Sequence, residues 1–125
     1  MSTYDDVIRF WFDEISPQQW WIKDAAFDRM LTERFQTTLS SAFQGELYLW
    51  RQSAVGRLAE VLVLDQFSRN IYRDEAHAFL ADPLALALAQ EAVAVGADLQ
   101  LDAAKRSFLY MPYMHSESLE IHQQV

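Results

Sequence analysis

Between Asp24 and Gly45 the apolar side chains recur at threes and fours: Phe27, Met30, Leu31, Phe35, Leu39 and Phe43. Only an α-helix gathers that spacing on one side, because its residues return to the same face about every 3.6 positions. Asp24 stands where an N-cap belongs, and Gly45 where a helix stops. A long amphipathic helix must hide its stripe, so the rest of the chain has to supply partners for it. The punctuation says that these partners are helices too. Ser2 or Thr3 caps a helix over residues 4–12 that buries Val7, Ile8, Trp11 and Phe12, with Asp5 and Asp6 in the first turn where the helix dipole favours them. Ser16-Pro17-Gln18-Gln19 is a helix start, with a capping serine, a first-turn proline and a glutamine at the third position. Trp20-Trp21 then make one short turn packed on its neighbours.

Further on, Ser53 caps a central helix that runs to Asn70, residues 71–74 connect, and residues 75–80 form another short helix. Asp82-Pro83 repeats the cap-and-proline start for an alanine- and leucine-rich helix that Gly96 ends. Asp102 caps the last region, which Pro112 breaks or kinks before it resumes through His115 to residue 124. No run of alternating β-branched residues stands against this pattern. The expectation is an all-α fold of antiparallel helix pairs joined by short loops.

A chain of 125 residues makes a single domain. Half of it is hydrophobic, which excludes global disorder. A net charge of −8 with no basic stripe argues against nucleic acid. There is no cysteine, so disulfides and thiolate chemistry are absent. The acidic start and the lack of any apolar run near ~18 residues argue against a leader or a membrane span. A soluble cytoplasmic protein is the simplest expectation.

Two stretches break the apolar logic. Residues 57–70, RLAEVLVLDQFSRN, begin with Leu58, Val61, Leu62 and Leu64 and then continue the same side with Asp65 and Arg69. Residues 106–117, RSFLYMPYMHSE, place Phe108, Met111 and His115 on one side, with Tyr110, Ser116 and Glu117 beside them. Charged groups on a core-facing stripe persist only when paired, since an orphaned buried charge costs roughly 3–5 kcal/mol. The two stretches are therefore expected to face one another around a polar pocket.

Several strings carry a family resemblance: VIRFWF at 7–12, Trp21 with Phe27-Asp28, Arg34-Phe35, Leu58-Ala59, LDQFSRN at 64–70, Asp82-Pro83 with Ala85-Leu86, and FLYMPYMHSE at 108–117. With these the chain resembles the bacterial domain-of-unknown-function family 924 (DUF924) along essentially its whole length. The resemblance implies a tetratricopeptide-like α-α superhelix and no activity. It also brings two departures. Ser68 stands where the family often has proline, which should leave the helix less sharply ended. The family's proteins also typically run several tens of residues further, so the C-terminal helices are expected to be missing here.

The candidate site comprises Asp65, Gln66, Arg69, Asn70, Tyr110, His115, Ser116 and Glu117. Asp65 and Arg69 read first as a structural i, i+4 ion pair that ties the helix end to a neighbour. The favoured functional reading is a binding module holding a small anionic ligand or a peptide, with Arg69 as the anion-reading fork, Asp65 orienting it, and Gln66 and Asn70 as a second pair one position on. The alternative is a hydrolase using His115 with Asp65 or Glu117 as acid/base. His115 and Glu117 diverge on a helix and no His-x-x-x-His pair exists, so neither a metal nor another cofactor is expected. A Ser116–His115–Asp65 triad lacks an elbow to present the serine. Trp11, Trp20, Trp21, Phe27 and Phe35 read as core. With Leu119 and Ile121 left for a helix partner, the chain is expected to self-associate, most simply as a dimer.

Overall fold

The helix expected from Phe27, Leu31, Phe35 and Leu39 forms over Ala25–Phe43, with Asp24 accepting hydrogen bonds from the backbone N–H groups of Ala26 and Phe27. The computed structural model describes residues 2–125, and all the regular elements among them are helical. They are α1 (Tyr4–Arg9), α2 (Ala25–Phe43), α3 (Ala54–Leu62), α4 (Ser68–Ile71), α5 (Asp82–Ala94), α6 (Ala103–His115) and α7 (Leu119–His122), with short 3-10 turns between them.

The centre is the helix expected between Ser53 and Asn70, a rod made by α3, a π-helical turn over Val63–Phe67, and α4. Every residue from 58 to 68 in it is buried. A helix hidden on all sides needs neighbours all round. Helices α1, α5 and α6 and the 3-10 turn Tyr48–Gln52 pack on α3, while α2 packs on the π turn and α4. Ala85, Ala89 and Ala92 make a buried small-residue face that lets α5 lie close to the rod. Gly56 meets an equally tight constraint: a Cβ there would sit 2.0 Å from the carbonyl oxygen of Trp50. The rod's buried carboxylates are paired, while the buried Ser68 Oγ has no hydrogen-bond partner among the described residues. Glu60 is buried and accepts from Arg51 Nε at 2.7 Å and Nη2 at 2.8 Å, and that hydrogen bonding pushes the Arg51 guanidinium pKa up.

The chain's punctuation works largely as read. Thr3 forms a capping box with Asp6, Gln19 reaches back to the Ser16 N–H at 2.8 Å, and Ser53 and Asp102 cap α3 and α6. Gly45 and Gly96 end their helices at φ 74° and 78°, a left-handed conformation that glycine adopts without a Cβ penalty. Five readings need correction. First, α1 gives way to a second π-helical segment at Phe10–Glu14, too short to set an apolar spacing of its own. Second, the cap of α5 is Ala81; Asp82 is already helical, its carboxylate turned elsewhere. Third, Pro112 does not interrupt α6, which runs on to His115. Fourth, residues 116–118 leave the helix, so the terminal helix is only the four-residue α7, with Ile121 packed on the core and Leu119 78% exposed. Fifth, Trp21 is 64% exposed, whereas Trp11, Phe27 and Phe35 are core; Trp20 is half-buried, its Nε1 donating to the Trp11 carbonyl at 2.8 Å. Across Ser68 the rod continues without a stop, as the absence of proline there predicts.

Candidate functional site

The π turn decides where the polar half of the central rod points. It inserts one extra residue, which rotates everything beyond it by about 100° relative to an unbroken α-helix. Asp65 lies inside this turn, fully buried. Its carboxylate meets three donors: Gln66 Nε2 at 2.9 Å on Oδ2, and Arg69 Nη1 at 3.3 Å and the His115 Nδ1 at 2.8 Å on Oδ1. A carboxylate can only accept, so the imidazole supplies the hydrogen from Nδ1. In neutral His115 the other ring nitrogen, Nε2, then keeps its lone pair. His115 closes the last turn of α6, and its side chain is 26% exposed. It borders a cavity of about 600 Å³, together with Arg69, Phe79, Asp82, Pro83, Leu86, Pro112, Ser116 and Glu117.

Arg69 belongs to the wall of this cavity and is already occupied. Nη1 and Nη2 donate to the two carboxylate oxygens of Asp82, each at 2.9 Å, and Nη1 also reaches the Asp65 carbonyl at 2.8 Å. This two-pronged geometry is the strong form of an arginine–carboxylate contact. The Phe79 ring lies 5.3 Å from the guanidinium carbon and covers it further. An anion arriving here would have to displace Asp82. The anion-reading role expected of Arg69 therefore does not fit the geometry, and Arg69 instead ties the π turn to the start of α5.

Of the eight residues read from sequence, the structure brings six together. His115, Arg69, Ser116 and Glu117 line the cavity, and Asp65 with Gln66 lies directly behind them. The other two go elsewhere. Asn70 donates to Asp28 of α2 at 2.9 Å, on a carboxylate it shares with Arg73, so the expected Gln66–Asn70 pair does not form. Tyr110 donates to Asp98 at 2.6 Å, a bond that raises its pKa, and it borders a different cavity near the C-terminus. A period of 3.6 residues put both on the pocket side; the extra residue in the π turn and the diverging 100° steps of α6 took them off it. Ser116 Oγ accepts from the Ser118 N–H at 3.1 Å, and no hydrogen bond joins it to His115 among the described residues. The arrangement is a carboxylate–imidazole dyad, not a triad.

Sequence reading missed Asp82, Phe79, Pro83, Leu86 and Pro112. One signal did point to a further carboxylate, though not to which one. An arginine on a core-facing stripe needs a full carboxylate fork, and Asp65 alone, one turn away, cannot offer both oxygens to it. Among the described residues no group of three or more histidine, aspartate or glutamate side chains is placed to hold a metal ion. Nor is any helix among them long and apolar enough to cross a membrane.

Fold and site together define an all-α domain in which a carboxylate of the buried central rod meets an imidazole at the end of α6, at the wall of an open cavity. The chain belongs to the family described as bacterial protein of unknown function (DUF924), whose model matches residues 7–125. It is similar to the solved structure of the protein of unknown function ATU0120 from Agrobacterium tumefaciens, with 38% identity and a TM-score of 0.92. That likeness covers 97% of this chain and 68% of the other. No curated protein matches.

Proposed function

We propose that this domain is a hydrolase-type enzyme in which His115 is the general base and Asp65 orients it. The observation that carries this reading is the 2.8 Å contact between buried Asp65 Oδ1 and His115 Nδ1, on an imidazole that opens to a cavity. Such a carboxylate holds the ring in one tautomer and stabilises the imidazolium that forms when the ring takes a proton. The step runs as follows for an acyl substrate. Nε2 takes a proton from a water molecule as the water oxygen bonds to the carbonyl carbon, and the C=O π pair moves onto its oxygen. Collapse of that intermediate expels the alcohol or amine, which leaves with the proton returned by His115. Ser116 is not needed as a nucleophile.

The competing reading, a module that binds a small anion or a peptide, keeps the support of the cavity itself and of helical-superhelix folds, which bind on concave surfaces. It is the weaker of the two because Arg69 is closed by Asp82.

Two measurements test the enzyme reading. Long-range proton–nitrogen NMR should show the His115 hydrogen on Nδ1; a ring protonated only on Nε2 overturns it. Against reporter esters, amides and phosphoesters, Asp65→Asn should cut turnover on the order of 10²–10⁴-fold, the usual worth of a positioned base and its orienter. His115→Gln should remove it at unchanged secondary structure. Equal behaviour of wild type and H115Q across the set refutes the proposal.

A further inference from the structure

The cavity beside the dyad has a charge that the dyad alone does not explain. Among the described residues Arg69 is the single cation along its wall, and Asp82 closes that cation with two oxygens. Asp65 lies behind it as a second carboxylate. Glu117 is a third, and it forms no hydrogen bond or ion pair with any described residue. One positive charge against three negative ones leaves the site anionic while His115 is neutral. Apart from Ser116 and His115, the remaining wall is apolar, made by Phe79, Pro83, Leu86 and Pro112. A volume of about 600 Å³ is in the range of small-molecule sites.

We propose that the substrate is a cationic acyl compound: an ester or amide with an apolar body and an ammonium group that Glu117 receives. This rests on the assignment of His115 as base and deepens it by naming what the base acts on. The logic is one of exclusion and attraction together. An anionic substrate meets an unpaired carboxylate and finds no free guanidinium. An ammonium group meets the one acidic side chain of the cavity that has no partner, while its apolar body covers the proline and leucine wall. Glu117 follows His115 by two residues, just beyond the end of α6 where the chain has left the helix. The residue that selects charge is thus set at the same mouth as the residue that moves the proton.

The test uses equilibrium binding, so its failure is separate from failure of the hydrolase reading. Benzylammonium, benzyl alcohol and benzoate share one apolar body and differ in charge. Each is titrated into the whole protein at low ionic strength, with the His115 ring and Phe79 signals followed by NMR. Benzylammonium should bind about fivefold tighter than benzyl alcohol, the upper end of what an exposed ion pair supplies. Benzoate should bind more weakly than either. In Glu117→Gln the ratio of cation to neutral should fall to near one, and in wild type it should shrink as salt is added. Equal binding of the three, tighter binding of benzoate, a preference that survives E117Q, or no binding of any at millimolar concentration each overturns the proposal. If instead the preference is found while the His115 tautomer is wrong, the charge selection stands and the hydrolase step falls.

Discussion

Replacing Asp65 by alanine tests the site and the fold at once. Asp65 is fully buried and serves three donors, but they do not lose equally. Arg69 keeps both Asp82 oxygens and the Asp65 carbonyl, so its charge remains paired. Gln66 is buried, and its amide would lose the acceptor 2.9 Å away; leaving such a group unsatisfied costs about 1–3 kcal/mol. The His115 side chain is 26% exposed, so losing its bond to Asp65 should cost about 0.5–1.5 kcal/mol, the net worth of an ordinary hydrogen bond. Removing a buried carboxylate also removes its desolvation penalty, which offsets part of the small cavity left behind. The expected cost is about 2–4 kcal/mol. At roughly 4 °C per kcal/mol for a domain of this size, the melting temperature should fall by about 8–16 °C. Thermal unfolding followed by circular dichroism reads it, with a urea midpoint as a check on two-state behaviour. A melting temperature unchanged within error would mean that water reaches the carboxylate and that Asp65 does not hold His115.

Other consequences are as specific. Arg51→Ala strands Glu60 in the core and should cost about 3 kcal/mol, whereas Glu60→Ala leaves an arginine already a third exposed and should cost only about 1–2 kcal/mol; equal urea midpoints for the two variants would contradict the burial asymmetry. Gly56→Ala drives a Cβ into the Trp50 carbonyl and should destabilise by at least about 2 kcal/mol, so a variant as stable as wild type would show that the two segments separate easily. The Asp98 hydrogen bond holds Tyr110 above its ordinary 10.0, and burial raises Tyr113 in the same direction. A raised folded-state value means stability fully present below about pH 10 and lost as pH climbs through the raised one; urea midpoints taken across that range should fall, and less so in Tyr110→Phe. Leu99, Met114, Leu119 and Val125 are all more than half exposed, and the expectation of self-association places a second copy over such side chains. Sedimentation at micromolar concentration should then show a dimer, and a sharp 14.5 kDa species would refute self-association.

Much of the architecture was legible because helix caps and apolar spacing are local physics. Asp24, Ser53, Asp102, Gly45 and Gly96 act within a few residues of where they stand, and α2 follows from its own stripe. The need for Asp65 and Arg69 to find partners was also readable, because a charge on a buried face must be paired wherever the chain goes. Which partners they find was not. Asp65 meets His115 fifty positions away and Arg69 meets Asp82 thirteen away. Nothing in either residue's neighbourhood encodes those distances. Only the tertiary packing settled that Arg69 closes on Asp82 instead of facing the cavity, that Tyr110 turns to Asp98, and that Asn70 turns to Asp28. For Arg69 and Asn70 the physical reason is the π turn at Val63–Phe67, and for Tyr110 it is the packing of α6 beside Asp98. One added residue in the π turn re-aims every side chain that follows by about a quarter of a turn.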